Sequence, residues 1–170
     1  KKHYEINISL FDALQGTHNG PDEFQIERFT CAHAIMIALE GIPGIYIHSL
    51  LGTQNDYERV RNSGHNRAIN RHQWSYPALE SHLSDHQSIH HKIYHALNTL
   101  LVLRRQQPAF HPNATHFTLH ICDQLFRFLR HTMDLQQSIF CIINISLETH
   151  SVHMSVINLI AHVHWFDILS

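Results

Sequence analysis

GIPGIYIHSLLGTQNDYERVRNSGHNRAINRH, residues 41–72, changes character within a few positions. Gly44–Leu50 is an apolar run without alternation, the pattern of a parallel strand covered on both faces. The polar stretch that follows carries Arg59, Arg61, Arg67 and Arg71. From Gly52 to Leu83 it is too long for an idle connection in a compact domain, which marks it as a functional loop.

Working outward, the chain upstream predicts a helix from Pro21 or Asp22 to about Leu39. Pro21 suits a first helical position, and Asp22 and Glu23 suit the positive end of the helix dipole. Phe29, Ala32, Ile35, Met36 and Leu39 make one apolar stripe, and Gly41 can end the helix in a left-handed conformation. Tyr4, Ile6 and Ile8 alternate with polar residues as in a strand. Downstream, Ser84 with Gln87 reads as a capping box for a helix that turns Ile89, Ile93, Leu97 and Leu100 inward and ends near Gln106. Helix, short link, buried strand, long loop and helix is the grammar of an α/β barrel, whose active site is built by loops after the strands.

At Pro108, Pro112 and Asn113 the grammar changes to short β runs: HFTLHICD, QLFRFLRH, SIFCIINISL and HSVHMSVI. The fold class is therefore α/β plus all-β. A C-terminal remnant of a (β/α)8 barrel, residues 1–108, precedes a small antiparallel β-domain, residues 109–170, incomplete at its end.

Composition narrows the function. A chain of 170 residues with net charge −2 lacks the clustered cationic excess that nucleic acid requires. No uncharged run reaches the roughly 18 residues of a membrane span, and cytoplasm is the default. Cys31, Cys122 and Cys141 read as buried thiols in a reducing compartment. The 19 histidines include the helical spacings His82, His86, His90 and His91, His95, and an HxH at His162 and His164. One-turn spacing can share a zinc ion, but no carboxylate or thiolate completes a set, so a histidine-biased solvated surface is the expectation.

YEINISLFDAL, IMIALEGIPGIYIHSLLG, NRAINRH and LLVLRRQQPAFHP stand in the same order as in the sucrose phosphorylase group of the α-amylase superfamily, which this chain resembles. SIFCIINIS and WFDILS are similar to that group's C-terminal β-domain. The group includes sucrose 6-phosphate and glucosylglycerate phosphorylases, and GIYIHSLLGTQND leans toward those two branches. The resemblance implies a retaining glucosyl transfer, without metal or organic cofactor, that uses sugar and inorganic phosphate and releases α-glucose 1-phosphate. That chemistry needs two carboxyl groups about 5 to 5.5 Å apart. In the family they lie upstream of the residues present here, so no catalytic residue is expected in this chain and it should be silent alone. Both ends read as those of a fragment.

The resemblance also implies site residues. Arg67 in GHNRAINRH aligns with an arginine that reaches the glucosyl subsite, although the family's preceding Gly is Asn66 here. A planar guanidinium fork suits neighbouring hydroxyls. Tyr4 and Glu5 match a mobile loop that handles acceptor sugar and phosphate, and His48 points toward the same end. Asn70 and Arg71 are expected to pin the loop, while Arg59, Arg61, Asp56 and Glu58 are solvated and Asp22 and Glu23 serve a helix start. Two rival readings stand beside this one: a non-catalytic sugar-binding or self-associating module with an exposed barrel edge, and a histidine-based metal protein.

Overall fold

In the computed structural model, residues 6–120, 122–153 and 164–169 are described. A helical part occupies the first two thirds and a three-stranded sheet follows. Helix α1 (Leu10–Ala13) is started by Ser9, whose hydroxyl accepts from the Asp12 N–H at 3.2 Å. A two-residue ribbon, β1 (Gly16–Thr17) and β2 (Gly20–Pro21), then leads into α2 (Gln25–Ala38). Pro21 is thus spent on the ribbon, and the helix begins later than its position suggested. Residues 6–8 lie outside any strand, and Tyr4 lies outside the described residues.

The buried face of α2 is Phe29, His33 and Ile37; of the stripe expected from apolar spacing only Phe29 lies on it, and Met36 is 45% exposed. His33 can be buried because its Nδ1–H donates to the Phe29 carbonyl one turn back, at 2.9 Å. Phe29 meets Phe11 edge-on at 5.2 Å, and both join Ile93 and Leu97 of the long helix α6 (Ile89–Gln106) in one core. Leu14, Ile26, Leu50, Ile89 and Leu100 close around it. The inward face expected for α6 is therefore present.

The Gly44–Leu50 strand is not. Residues 42–46 form no regular element, Tyr46 is extended, and Ile47–Leu50 is a helical turn, α3. A parallel strand is held by neighbours on both sides, and no other described segment pairs with this one. Gly52 follows at φ 59°, with Ile93 against the place a Cβ would occupy, so the chain turns tightly onto α6.

The stretch expected as a long loop is largely helical. It contains α4 (Tyr57–Ser63), a 3-10 turn (Asn66–Asn70) and α5 (Tyr76–Ser84). Asp56 caps α4 and Gly64 ends it at φ 69°; Ser75 caps α5, with Pro77 in its first turn. Ser84 is the last residue of α5 and starts nothing; the cap of α6 (Ile89–Gln106) is Ser88, whose hydroxyl accepts from the His90 N–H.

A 3-10 turn (Pro108–Phe110) leads to the antiparallel sheet β3 (Thr115–Thr118), β4 (Leu125–His131) and β5 (Ser138–Asn144), with β4 central. Leu129 lies opposite Phe117 on one side and Phe140 on the other. Of the expected fourth run, residues 150–153 are not strand and 154–157 lie outside the described residues.

Both faces of β4 are covered, and Arg127 and Arg130 are buried in it. Arg130 donates to the Ala109 and His111 carbonyls at 3.2 and 3.1 Å. Arg104, from α6, donates to the Ile37, Leu39, Gly41 and Phe110 carbonyls, so it closes the open end of α2 and ties it to the turn before the sheet. The two guanidinium groups bracket the Phe110 ring at 5.4 and 5.9 Å.

The thiols divide. Cys31 and Cys141 are half-buried, but Cys122 is exposed, contrary to the expectation of three buried thiols. Burial pushes the Cys141 thiol up to about 12, against the pull of Arg130 and Arg104. Among the described residues, no helix is long and apolar enough to cross a membrane.

Candidate sugar-binding loop

The segment between α3 and α6 holds the arginines of the opening stretch. Arg67 is the second residue of the 3-10 turn, exposed, with Asn70 ending that turn and Arg71 just beyond it. Arg61 and Arg71 are exposed, and Arg59 is half-buried. Arg59 borders a shallow open depression with Asp56, Glu58, Asn62, Ser63 and Gln73. Asn70 accepts through its main-chain carbonyl from the Tyr46 hydroxyl at 3.4 Å, and the Arg71 N–H donates to the Ala68 carbonyl at 3.2 Å. Tyr4 and Glu5 lie outside the described residues.

His48 is half-buried on α3, with Nδ1 at 3.3 Å from the hydroxyl of buried Thr53. That hydroxyl also accepts from the Trp74 indole N–H at 3.2 Å. Burial, and then the nearby His72, hold the His48 imidazole below its ordinary range, favouring the neutral ring. Trp74 stands edge-on to His72 at 4.6 Å and to His90 at 4.8 Å. This Thr53–Trp74–His72 floor went unread in the sequence, although Trp74 in a polar stretch was the available signal.

Several histidines have a structural task that the solvated-surface expectation missed. The Nδ1–H of His90 donates to the Leu51 carbonyl after α3, and that of His91 to the Leu83 carbonyl in the last turn of α5, both at 2.7 Å. Both bonds occupy carbonyls left open where helices end. Among the described residues no group of three or more His, Cys, Asp or Glu is placed to hold a metal ion. His162 lies outside them.

Three carboxylates are likewise engaged. Asp12 accepts from the Asn55 N–H at 2.7 Å, while the Asn55 side chain accepts from the Ser9 N–H at 2.7 Å. Asp22 pairs with Arg28 at 2.5 Å, which holds its carboxyl below the usual range. Asp56 is lowered by the Arg59 N–H and then by His72. A general acid in glycoside chemistry needs the opposite shift.

A small antiparallel sheet set beside helices, with an arginine-bearing turn, defines a mixed α and β protein. No protein-family model matches the chain. It is 38% identical over 164 residues to a glucosylglycerate phosphorylase of Allomeiothermus silvanus, covering 96% of this chain and 29% of that protein. It is 42% identical over 116 residues to the Escherichia coli K12 glucosylglycerate phosphorylase, covering 68% of this chain and 20% of that one. A crystal structure of the sucrose 6F-phosphate phosphorylase from Thermoanaerobacter thermosaccharolyticum matches in fold, with TM-score 0.61 and 22% identity, over 83% of this chain and 27% of that one. The chain matches the C-terminal part of a glycoside hydrolase family 13 phosphorylase, its relatives being glucosylglycerate, sucrose and sucrose 6-phosphate phosphorylases. It spans between a fifth and three tenths of the length of the glucosylglycerate phosphorylases it matches.

Proposed function

We propose that the chain is the closing segment of a retaining glucosyl-transferring phosphorylase, cytoplasmic, acting on glucosylglycerate or a related α-glucoside with inorganic phosphate. Residues 1–108 belong to the end of the (β/α)8 barrel and 109–170 to the β-domain. The observation that carries this is the 38% identity to a glucosylglycerate phosphorylase over nearly the whole chain.

Arg67 supplies a guanidinium to the glucosyl hydroxyls, and Tyr4 and Glu5 serve acceptor and phosphate. His48, kept neutral and held by Thr53, supports the wall behind them. The nucleophile and the acid/base come from the upstream barrel. The engagement of Asp12, Asp22 and Asp56 with chain partners supports that assignment.

Arg67→Ala in the complete enzyme is the test. Loss of hydroxyl bonds that strengthen with developing charge costs about 2 to 4 kcal/mol of transition-state stabilisation. That is on the order of a 30- to 1,000-fold fall in kcat/KM for phosphorolysis. Unchanged phosphorolysis rejects the sugar role.

A second reading has one observation in its favour. Ile42, at 84% exposure, and Tyr46 and Ile47, both more than half exposed, lie on the segment that pairs with no strand among the described residues. Such an edge invites self-association. Light scattering of the purified chain decides: a monomer over a wide concentration range removes this reading.

A further inference from the structure

Among residues 57–73 only Ala68 is buried, so apolar packing alone does not fix where Arg67 stands. Polar bonds must do so, and three of them converge on Asp56. Its main-chain N–H donates to the Ile69 carbonyl at 2.7 Å. Its Oδ1 accepts from the Arg59 N–H at 2.8 Å, and its Oδ2 lies 2.6 Å from His72 Nδ1. Arg59 precedes Arg67 in the chain, whereas Ile69 and His72 follow it. One residue therefore holds both arms of the excursion that carries the arginine.

The brace is seated rather than floating. The His72 ring rests edge-on against Trp74, and the Trp74 indole N–H is held by Thr53, only 4% exposed. Thr53 in turn is bonded by its N–H to the His48 carbonyl at 2.8 Å. The line from Asp56 through His72 and Trp74 thus ends on α3, which abuts α6.

We propose that Asp56 is a positioning residue that fixes the Arg67 turn through Arg59, Ile69 and His72 without touching substrate itself. The sugar-binding consequence rests on the role proposed for Arg67; the brace itself does not. A carboxylate fits the task because one oxygen can cap α4 while the other takes the imidazole N–H. The Arg59 N–H and His72 keep that carboxyl ionised to lower pH than usual, consistent with both oxygens acting as acceptors.

The test is made on the 15N-labelled chain without sugar, following amide exchange over residues 57–71 and the Arg67 Nε–Hε resonance by NMR. Asp56→Ala leaves only the main-chain bond to Ile69. It should speed exchange in this stretch by about fivefold or more and shift the Arg67 resonance. Amides of Ile93 and Leu97 in the core should exchange as before. Asp56→Asn keeps a capping oxygen for the Arg59 N–H and turns its amide N–H to His72, whose Nδ1 can accept as the Nε2–H tautomer, and should restore most of the wild-type pattern. His72→Phe removes the donor and should shift the same Arg67 resonance, which keeps the proposal testable if Asp56→Ala does not fold.

An Arg67 resonance and 57–71 exchange indifferent to Asp56→Ala would overturn the proposal, as would equal acceleration in the core. In the absence of a folded Asp56→Ala, indifference to His72→Phe overturns it. Because no ligand is present, a failed brace is separate from a failed sugar role, which the Arg67→Ala kinetics read.

Discussion

Replacing Arg104 with Met removes a guanidinium but keeps most of its apolar stem. In the native chain that group donates to Leu39 O at 3.3 Å, Gly41 O at 2.6 Å and Phe110 O at 3.0 Å, and to the Ile37 carbonyl. A hydrogen bond from a charged donor contributes about 1.5 to 3 kcal/mol net, so a simple sum over the partners would exceed a small domain's whole stability. Two effects reduce it. Arg104 is half-buried, so the abandoned carbonyls partly rehydrate, and its own desolvation is relieved on substitution. A loss of about 2 to 4 kcal/mol remains. With a urea slope of about 2 kcal/mol/M, the midpoint should fall by roughly 1 to 2 M. Arg104→Lys separates geometry from charge: one ammonium cannot replace a planar fork spread over the end of α2 and the turn at Phe110, so it should lie between wild type and Met. A Met variant within about 0.3 M of wild type, or a Lys variant equal to wild type, refutes the clasp; both limits are set against the same urea scale.

Other consequences follow from burial. Cys122 is exposed whereas Cys141 is held up to about 12, so a thiol reagent at pH 8 should modify Cys122 first and leave Cys141 unmodified until the chain unfolds. Mass spectrometry of the labelled peptides checks the order, and early modification of Cys141 contradicts it. A folded thiol that resists ionisation while the unfolded one ionises near 9.0 also means that stability falls as pH rises from 9.0 toward 12. His33, His48, His90 and His116 are all lowered from 6.5, chiefly by burial, so the native state holds fewer protons than the unfolded one on acidification. Stability should be fully present above 6.5 and decline as pH falls below it, with a shallower decline in His33→Leu. Urea midpoints at pH 7.5 and 5.5 read this, and a midpoint that rises on acidification goes against it.

The long helix α6 was legible because Ile89, Ile93, Leu97 and Leu100 keep helical spacing over an uninterrupted stretch. The runs that form β4 and β5 were legible because they concentrate branched and aromatic residues, whereas residues 150–153 of the fourth expected run are not strand. Gly44–Leu50 misled because an apolar run does not carry its own hydrogen-bond partners: a strand exists only where another segment pairs with it, and here no residue of the run is buried either. The α2 stripe misled for a different reason. His33 counts as polar, yet one bond to the Phe29 carbonyl satisfies it, and the helix turns accordingly. Asp56, Gly64, Ser75 and Pro77 are ordinary helix signals, and the expectation of one long loop passed over them. Arg67 was visible through its motif alone. The residues that hold its turn, Asp56 and His72, are sixteen positions apart, and only folding brings them to 2.6 Å.

The most direct measurement is release of α-glucose 1-phosphate from glucosylglycerate and phosphate by the chain alone and by the chain joined to the upstream barrel. A segment that lends an arginine and a wall to carboxylates elsewhere should give no product alone and steady turnover when joined. Phosphorolysis by the isolated chain, above the rate without protein, would mean that the reactive acids lie among these residues.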